Sequence, residues 1–429
     1  MVWKEEEEEE MIRVREYDKD KDLWKVEEME RRCEIGHSGT ETSSKKSTKK
    51  KKKSMKLFVD LLGDPMSRVR HTPLHVMLVA EYGEKEKEKK EIVGVIRACI
   101  KMVTRGMKPV NEHPIYAKVA YILGLRVSTS HRRNGIGTKL VEEVESWCRK
   151  NGAEYSYMAT ERSNTASLNL FTKKFSYTHF RSPAMLVHPV HHHTLPLPLH
   201  HHSLSIFHLP PSLATSLYNQ IFKTNSEFYP SDIFSVLSNP LTITTLIALP
   251  ASDVAWQPCS VLRGILPKSY AVLSLWNSAG VFRMRVAGAP ALAKAVLGVA
   301  RALDERAPWM RLPALKDVFR PFGVYFMYGL HMEGEGGARL MTSLCRVAHN
   351  IASKDEGCAA IVAEVGPGDP VRVAVPRWRR FSCEEDVWCV KRLGGDGEKR
   401  RNGGDDDGVD NWVKSPPSTD VIFVDPREF

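Results

Sequence analysis

The sequence lacks several patterns that would decide its class at once. Its eight cysteines are scattered over 429 residues without a C-x-x-C pair, which argues against a disulfide scaffold and a four-cysteine zinc site. It has no run of about eighteen apolar residues, so no membrane-spanning helix is predicted. The N-terminus, with six glutamates after Lys4, lacks the apolar core of a secretion signal. A reducing compartment is therefore expected, the nucleus and/or the cytoplasm.

Two common phosphate-binding glycine motifs are also missing. The P-loop requires Gly-x4-Gly-Lys-Ser/Thr, and the dinucleotide fingerprint requires Gly-x-Gly-x-x-Gly. Here Gly135-Ile-Gly137 is followed three positions later by Leu140, which fits neither pattern. The sequence instead has the spacing Arg132-x-x-Gly135-x-Gly137, directly after an apolar run at residues 121–128.

The segment that follows these glycines has the pattern of an amphipathic helix. Ile136, Leu140 and Val144 recur at helical spacing, and Gly152 is a normal stop signal. A helix N-terminus has unpaired N–H groups and the positive end of the helix dipole, and both favour an anion. Glycines have no Cβ, so a bulky phosphate can approach the backbone. This strand–turn–helix therefore predicts a binding site for a pyrophosphate.

A second pattern follows the helix. Residues 155–161 are predicted to form a strand, after which come Asn164, Ser167, Leu170 and Phe171. The two patterns in this order resemble the GNAT superfamily of acetyl-CoA-dependent N-acetyltransferases. In that family the pyrophosphate of coenzyme A lies on an Arg/Gln-x-x-Gly-x-Gly/Ala loop. The pantetheine arm pairs with the edge of the preceding strand, which is a form of strand addition.

The resemblance implies an α/β fold with a mixed sheet and acetyl-CoA as the co-substrate. It also implies a set of cofactor-binding residues on the strand, on the loop and near the second motif. These are Leu125, Arg126, Val127, Arg132, Arg133, Asn134, Gly135, Ile136, Gly137, Thr138, Asn164 and Phe171.

Three longer stretches point to one subfamily within this superfamily. Residues 123–127, 164–172 and 181–190 are similar to the plant Hookless-type probable N-acetyltransferases, and the likeness extends over most of the chain. It implies acetyl transfer to a primary amine (a protein lysine, an N-terminus or a small molecule) and a regulatory role in plant growth.

The acid and the base of such a transfer are less clear in the sequence. Phe171 stands where many GNAT enzymes have a tyrosine as the acid, and Tyr121 stands where some have a carboxylate. Glu161 is the remaining candidate for the base, and an exposed glutamate at a strand end is the alternative. Three functions therefore compete: an active N-acetyltransferase, an acetyl-CoA-binding regulatory protein with little turnover, and an interaction scaffold. The intact glycine loop argues against the scaffold.

The length of the chain predicts two domains. The expected order is a GNAT domain at residues 1–187, a His/Pro-rich linker at 188–205, a second α/β domain at 206–393 and a flexible tail at 394–429. Within the first domain we expect a strand at residues 11–16, a helix at 18–32, a disordered basic insertion at about 38–55 and a short helix at 56–62. A hairpin and the strand at 119–127 follow. Residues 421–424 are a further candidate strand.

The second domain contains an echo of the first. A strand at residues 324–332, a glycine-rich turn, a helix at 338–352 and a strand at 358–365 repeat the order around the first turn. This turn has Glu333 and Glu335 in place of the arginine, and both would repel a pyrophosphate. We therefore predict a second, degenerate GNAT-like domain, and coincidence of order in an ordinary α/β segment is the alternative.

Two low-complexity runs complete the sequence. The lysine-rich residues 45–53 fit a nuclear-import signal, a contact to nucleic acid, or a solvated insertion. No aromatic residues interleave with them, so direct nucleic-acid binding has no further support. Histidines at 191–193 and 200–202 suggest metal binding, but a Pro-rich stretch without cysteine or carboxylate partners favours a linker. No metal site is predicted.

Overall fold

The computed structural model describes residues 11–32, 56–61, 64–83, 90–106, 113–197, 204–253, 256–312, 314–379, 381–382, 386–394, 412–413, 417 and 419–429. The lysine-rich run, the basic insertion and the histidines at 200–202 lie outside these residues. None of the described helices is both long and apolar enough to cross a membrane.

Both halves of the chain contain strands and helices. The strands are β1 (Met11–Glu16), β2 (Lys56–Leu61), β3 (Leu74–Gly83), β4 (Glu91–Arg105), β5 (Tyr116–Val127), β6 (Tyr155–Glu161), β7 (Thr178–Arg181), β8 (Ala184–Pro189), β9 (Leu204–Leu209), β10 (Glu227–Pro230), β11 (Thr242–Pro250), β12 (Tyr270–Asn277), β13 (Phe282–Ala287), β14 (Gly323–Glu333), β15 (Cys358–Val365) and β16 (Asp386–Arg392). The helices are α1 (Lys19–Arg31), α2 (Ile136–Lys150), α3 (Thr165–Leu168), α4 (Pro211–Phe222), α5 (Ile233–Leu237), α6 (Ala291–Arg306) and α7 (Gly337–Ser353).

Most predicted elements of the first half are present, with one error. The strand at 11–16, the helix after Asp18, the hairpin, the motif strand and the amphipathic helix are confirmed. The short helix at 56–62 is wrong, because residues 56–61 form β2, which pairs antiparallel with β13 of the second half. The partner strand lies more than 200 residues away, so nothing local to β2 indicated its pairing.

Two mixed sheets form the framework of the molecule. The first has the order β1-β3-β4-β5-β6-β16-β7, with β10 also paired to β4, and the second has the order β8-β15-β14-β12-β11-β9. α2 packs on the first sheet through Ile136, Leu140 and Val144. α7 packs on the second through Leu340, Leu344 and its neighbours. A third core, lined by both sheets, lies between the halves.

The second half repeats the plan of the first, as predicted. β5, a turn, α2 and β6 correspond to β14, a turn, α7 and β15, and in each case the two strands pair in parallel. Both helices begin after a left-handed glycine, Gly135 at φ 78° and Gly336 at φ 77°. Both motif strands contain a left-handed glycine, Gly124 at φ 64° and Gly329 at φ 59°. The chain therefore contains the same strand–turn–helix–strand unit twice, in tandem.

The two units exchange strands, which corrects the predicted boundaries. β8, whose first residues were assigned to the first domain, pairs with β15 in the second sheet. β16, assigned to the second domain, lies between β6 and β7 in the first sheet. A boundary at residue 187 or 393 therefore cuts through a sheet rather than between two folded units.

The predicted linker and tail are also partly folded. His188 lies in β8, and His191 and His193 are buried, so this part of the stretch is not a free linker. Residues 422–424 are buried near the C-terminus. They are joined to the first sheet through Glu428, whose carboxylate lies 2.5 Å from Lys101 on β4. The last residues of the predicted flexible tail are therefore packed against the rest of the protein. The candidate strand at 421–424 is not formed, and the structure has only an isolated bridge at Ile422.

Candidate functional site

The turn between β5 and α2 is open at the helix N-terminus. Arg132, Arg133, Asn134 and Gly135 are all exposed. The first helical hydrogen bond runs from the N–H of Lys139 to the carbonyl of Gly135 at 3.0 Å, so the N–H groups before Lys139 have no partner inside the helix. A Cβ placed on Gly135 would meet nothing within 4 Å. The turn therefore offers backbone donors and open space to an anion.

Packing fixes the helical side of this turn. Ile136 is 1% exposed and belongs to the core under α2, so only its backbone is available to a ligand. Gly137 is half-buried and faces Leu170 and Val127, which a Cβ would contact at 3.6 and 3.8 Å. Thr138 is also half-buried. The predicted loop residues thus lie together at one helix end.

The motif strand provides an open edge beside the turn. β5 and β6 pair only from Val119 to Tyr121, whereas β5 stays paired to β4 as far as Val127. The β6-facing edge at Leu125, Arg126 and Val127 therefore has no ladder partner among the described strands. An extended ligand could add to this edge as a strand does. The side chain of Arg126 is turned away to the carbonyl of Glu30, which its Nη1 reaches at 3.1 Å.

A bulge at Gly124 shapes this edge. The register between β4 and β5 shifts between Val95 and Arg97, opposite the left-handed Gly124. A Cβ at Gly124 would lie 2.8 Å from Nη1 of Arg97. The guanidinium of Arg97 is buried, and its two terminal nitrogens each bind one carboxylate oxygen of Glu30 at 2.9 Å. Glycine is needed here for φ and for space.

The second motif follows β6, and its residues Asn164 and Phe171 have different surroundings. Asn164 caps α3, because its Oδ1 accepts the N–H of Ser167 at 3.2 Å and its Nδ2 donates to Thr160 Oγ1 at 3.0 Å. It lies just after β6, the strand that diverges from β5. Phe171 is 1% exposed and packs edge-to-face on Tyr177 in the core. Its side chain is therefore enclosed by protein, in keeping with the amphipathic spacing around it, and its role in cofactor binding stays a prediction.

Glu161 is exposed at the last position of β6. Its carboxylate accepts a hydrogen bond from Ser163 Oγ at 3.1 Å, and it lies opposite Asp386 of β16. Alternation along a strand puts Glu161 on the same face as Tyr157. It is therefore accessible to a substrate, on the face of the sheet that the second half covers.

Sequence reasoning missed a cluster of acidic and phenolic groups on that face. The rings of Tyr121 and Tyr157 stack at 4.8 Å, and the hydroxyl of Tyr157 donates to Glu428. Burial raises the pKa of both tyrosines above the ordinary range. Burial, with the charge of Asp386, raises the pKa of Glu364 to about 8. Its Oε1 accepts a hydrogen bond from Trp388 Nε1 at 3.1 Å.

These groups come together only in the tertiary fold. Glu364 lies on β15 and Glu428 follows the apolar residues 421–424, so both reach the face of β5 and β6 from the second half. The apolar run before Glu428 was the single sequence signal that this region would dock. Perturbed carboxyl groups in such a place are candidates for proton transfer.

The corresponding place in the second half is filled by the chain itself. Residues 421–424 lie beside Gly329 and Leu330 of β14, and beside Glu364 and Val365 of β15, leaving a cavity of about 10 Å³. In the turn, a Cβ on Gly334 would lie 2.2 Å from the carbonyl oxygen of Lys268. The exposed Glu333 and Glu335 add negative charge. The space around Gly336, the counterpart of Gly135, is open as well, so the second turn differs from the first in its charge and in the covered region beside β14.

A larger cleft borders the first turn. It has a volume of about 530 Å³ and lies between α1, the start of β4 and the residues just after β5. Trp24 on α1 is 63% exposed at this cleft, and Ser128 and Ser130 line its other side. The open turn thus continues into a surface large enough for a second substrate.

Comparisons with known proteins agree with this geometry. The acetyltransferase (GNAT) family profile matches residues 49–177. Acetyl transferase GW6a of Oryza sativa subsp. japonica is 48% identical over 98% of this chain and 98% of its own length. Probable N-acetyltransferase HLS1 of Arabidopsis thaliana is 46% identical over 98% of this chain and its whole length (100%). Saccharomyces cerevisiae N-myristoyltransferase, solved with myristoyl-CoA, has a TM-score of 0.50 and 10% identity over 89% of this chain and 79% of its own, a likeness of fold alone.

The chain therefore belongs to the GNAT family of acetyltransferases. It is an acyltransferase, and acetyl-CoA is its co-substrate. Within the family, it resembles the Hookless-type probable N-acetyltransferases over nearly its full length.

Proposed function

We propose that the protein transfers the acetyl group of acetyl-CoA to a primary amine, namely a protein lysine, an N-terminus or a small molecule. The observation that carries the proposal is the open turn at Gly135, set beside the free edge of β5. The resemblance to Hookless-type proteins supports a regulatory role in plant growth. The absence of a C-x-x-C pair supports action in the nucleus and/or cytoplasm.

The turn and the strand edge divide the binding of acetyl-CoA between them. The N–H groups at residues 135–138 and the charges of Arg132 and Arg133 would hold the pyrophosphate, because donors and positive charge favour it. The backbone of Leu125, Arg126 and Val127 would hold the pantetheine arm. Asn134 and Asn164 border these two parts. Most of these contacts would be made by backbone groups. Ile136 can therefore have a buried side chain and still offer its N–H to the pyrophosphate.

The acceptor amine must lose a proton before it can attack. An amine with a pKa near 10 is mostly protonated at neutral pH, so the site needs a base. Acetyl-CoA supplies an activated acyl group in the form of a thioester. Glu161 is the proposed base, because it is exposed on the face that carries Tyr121 and Tyr157. Both tyrosines stay protonated at neutral pH, since burial raises the pKa of each.

A regulatory acetyl-CoA-binding protein with little turnover is the second candidate. Phe171 favours it, since this side chain cannot donate a proton and is enclosed in the core. Binding of acetyl-CoA is common to both candidates, so the two are separated by turnover alone.

Binding is tested with two glycine variants that match in backbone geometry. Gly135→Glu places a carboxylate at the open turn and is expected to weaken acetyl-CoA binding at least about tenfold through charge repulsion and lost space. Gly336→Glu makes the same change in the second half, where φ is 77° and a Cβ also meets nothing. Isothermal titration of both with acetyl-CoA is the measurement. Equal affinities in the two variants would contradict the assignment of the site to the first turn.

Turnover is tested over a panel of histone-like peptides, free N-terminal peptides and small amines. Release of free coenzyme A with one class identifies the acceptor. Glu161→Gln is expected to lower kcat/KM by about 10²–10⁴ without changing acetyl-CoA affinity, which is the usual effect of removing a general base. Full turnover in this variant would remove Glu161 from the mechanism. Acetyl-CoA binding without turnover on any acceptor would favour the regulatory candidate.

A further inference from the structure

Three histidines meet in the second half, away from the acetyl-CoA turn. His188 is near the end of β8, His191 follows that strand, and His349 lies on α7. One ring nitrogen of each lies within 4.8 Å of the corresponding nitrogens of the other two. His191 and His349 are buried, at 4% and 0% exposure, and His188 is partly buried. The exchanged strand thus brings two imidazoles to a helix that already carries a third.

The hydrogen bonds of His191 orient it as a ligand. Its Nδ1 lies 2.6 Å from the carbonyl oxygen of Ala314, which can only accept, so Nδ1 carries the proton and Nε2 keeps its lone pair. A metal-bound histidine commonly donates its second N–H to a backbone carbonyl in this way.

His188 and His349 complete the set. Both ring nitrogens of His188 are shielded from solvent and have no hydrogen-bond partner among the described residues. Buried polar atoms without a partner are uncommon, and an unplaced ion is one explanation for them. His349 accepts the backbone N–H of His191 through Nε2 at 3.0 Å, and its Nδ1 lies 3.4 Å from Asn350 Oδ1, which can only accept. Nε2 is therefore the nitrogen with a lone pair, and an ion bound there replaces the N–H of His191.

We propose that His188, His191 and His349 form a binding site for a divalent transition-metal ion, Zn²⁺ in the first instance. Three imidazoles suit Zn²⁺, whereas Mg²⁺ and Ca²⁺ prefer oxygen ligands. Zinc–nitrogen bonds of roughly 2.0–2.1 Å bring tetrahedral ligands to within roughly 3.4 Å of each other, so the rings close by about an ångström on binding. The ion fastens β8, the strand exchanged from the first half, to α7 of the second.

The position of the cluster gives this ion a structural role. Val190, between the two histidines, donates its N–H to Ala359 at the start of β15 at 2.9 Å, so the segment is already in place before any ion arrives. Nearby, Asp304 binds the ring of His193 at 2.6 Å and the backbone N–H of His192 at 3.0 Å, which fixes the rest of the segment. The backbone is thus in place before binding, and the change needed is that the three rings close and that Nε2 of His349 exchanges the N–H of His191 for the ion.

The test is a zinc titration of the metal-free full-length protein. Residues 200–202 are first replaced by serine, because that histidine run lies outside the described residues and would bind metal on its own. We expect one tightly bound Zn²⁺ per chain, a four-coordinate spectrum when Co²⁺ replaces it, and an increase in Tm on adding zinc. Binding that disappears with the serine replacements, or no binding at all, would overturn the proposal.

His188→Leu is the informative variant, since it removes a ligand without breaking any hydrogen bond among the described residues. It should weaken zinc at least about 100-fold and abolish the Tm shift. His349→Gln should do the same while retaining an acceptor for the N–H of His191. His208→Ala is the matched control, because His208 is exposed and lies outside the three-histidine cluster, with its ring bound to Thr244 Oγ1. Circular dichroism confirms folding, and unchanged zinc affinity in both ligand variants would defeat the assignment.

Discussion

At the scale of single residues, Glu364 couples folding to pH. Burial raises its pKa to about 8, from about 4.5 in an unfolded chain. Between these two values the native state holds a proton that the unfolded state has lost. Stability contributed by this proton is therefore fully present below pH 4.5 and is lost as the pH rises towards 8.

Replacing Glu364 by glutamine should remove this pH dependence. The free energy of unfolding of the native protein, relative to Glu364→Gln, is expected to fall between about pH 5 and pH 8, by at most about 1.4 kcal/mol per pH unit. Urea unfolding at several pH values measures the difference, and equal m-values show that the unfolded states are alike. A difference that stays constant over this range would mean that Glu364 is ionised in the folded protein.

The positions of some site residues could be predicted from the sequence, and those of others could not. Gly135 and Arg132 were predictable, since a turn at a helix N-terminus is a local structure. The burial of Phe171 was not predictable in the same way, because its spacing within the motif does not reveal which side of the helix meets the core. Glu364 and Glu428 were not predictable at all, because their surroundings are formed only by the tertiary fold: Glu364 meets Trp388 of β16, and Glu428 meets Tyr157 of β6, 271 residues away in sequence.

At the scale of elements, those that depend on local sequence were predicted, and those that depend on distant partners were not. β5, α2 and β6 follow from period and capping alone, and the repeat at β14, α7 and β15 follows from their order. The short strand β2 was mistaken for a helix because its only strand partner in the described structure is β13. Local pattern determines the type of a long element, but a short one takes its form from whatever it pairs with.

The two copies of the strand–turn–helix element differ in the features that matter for acetyl-CoA. The first turn is basic, open and beside a free strand edge. In the second, β14 and β15 stay paired from Gly323 to Met327, and residues 421–424 cover the region beyond. The sequence predicted the loss of charge through Glu333 and Glu335. It gave no sign that the chain's own C-terminal segment would occupy the place.

At the scale of the whole molecule, exchanged strands and the C-terminal segment join the halves. β8 and β16 each complete the other half's sheet. The C-terminal segment adds a buried charge network, in which Lys101 on β4 meets Asp425 at 3.2 Å and Glu428 at 2.5 Å. Arg427 binds Asp425 at 2.7 Å within the same network. Neither half can complete its sheet by itself, so we expect them to unfold together.

Lys101→Met tests this coupling. Removing the cation leaves two carboxylates buried with fewer partners, which typically costs about 3–5 kcal/mol. Adding Glu428→Gln to this variant should recover part of the lost free energy of unfolding, because it removes one of the two buried carboxylates that lost their partner. Denaturant unfolding, followed by fluorescence and by circular dichroism, should give a single transition in every variant. Lys21→Met, which breaks an exposed pair with Asp18, is the control and should cost much less. Two separate transitions, or equal costs for the two lysine variants, would show that the C-terminal network does not bind the halves into one cooperative unit.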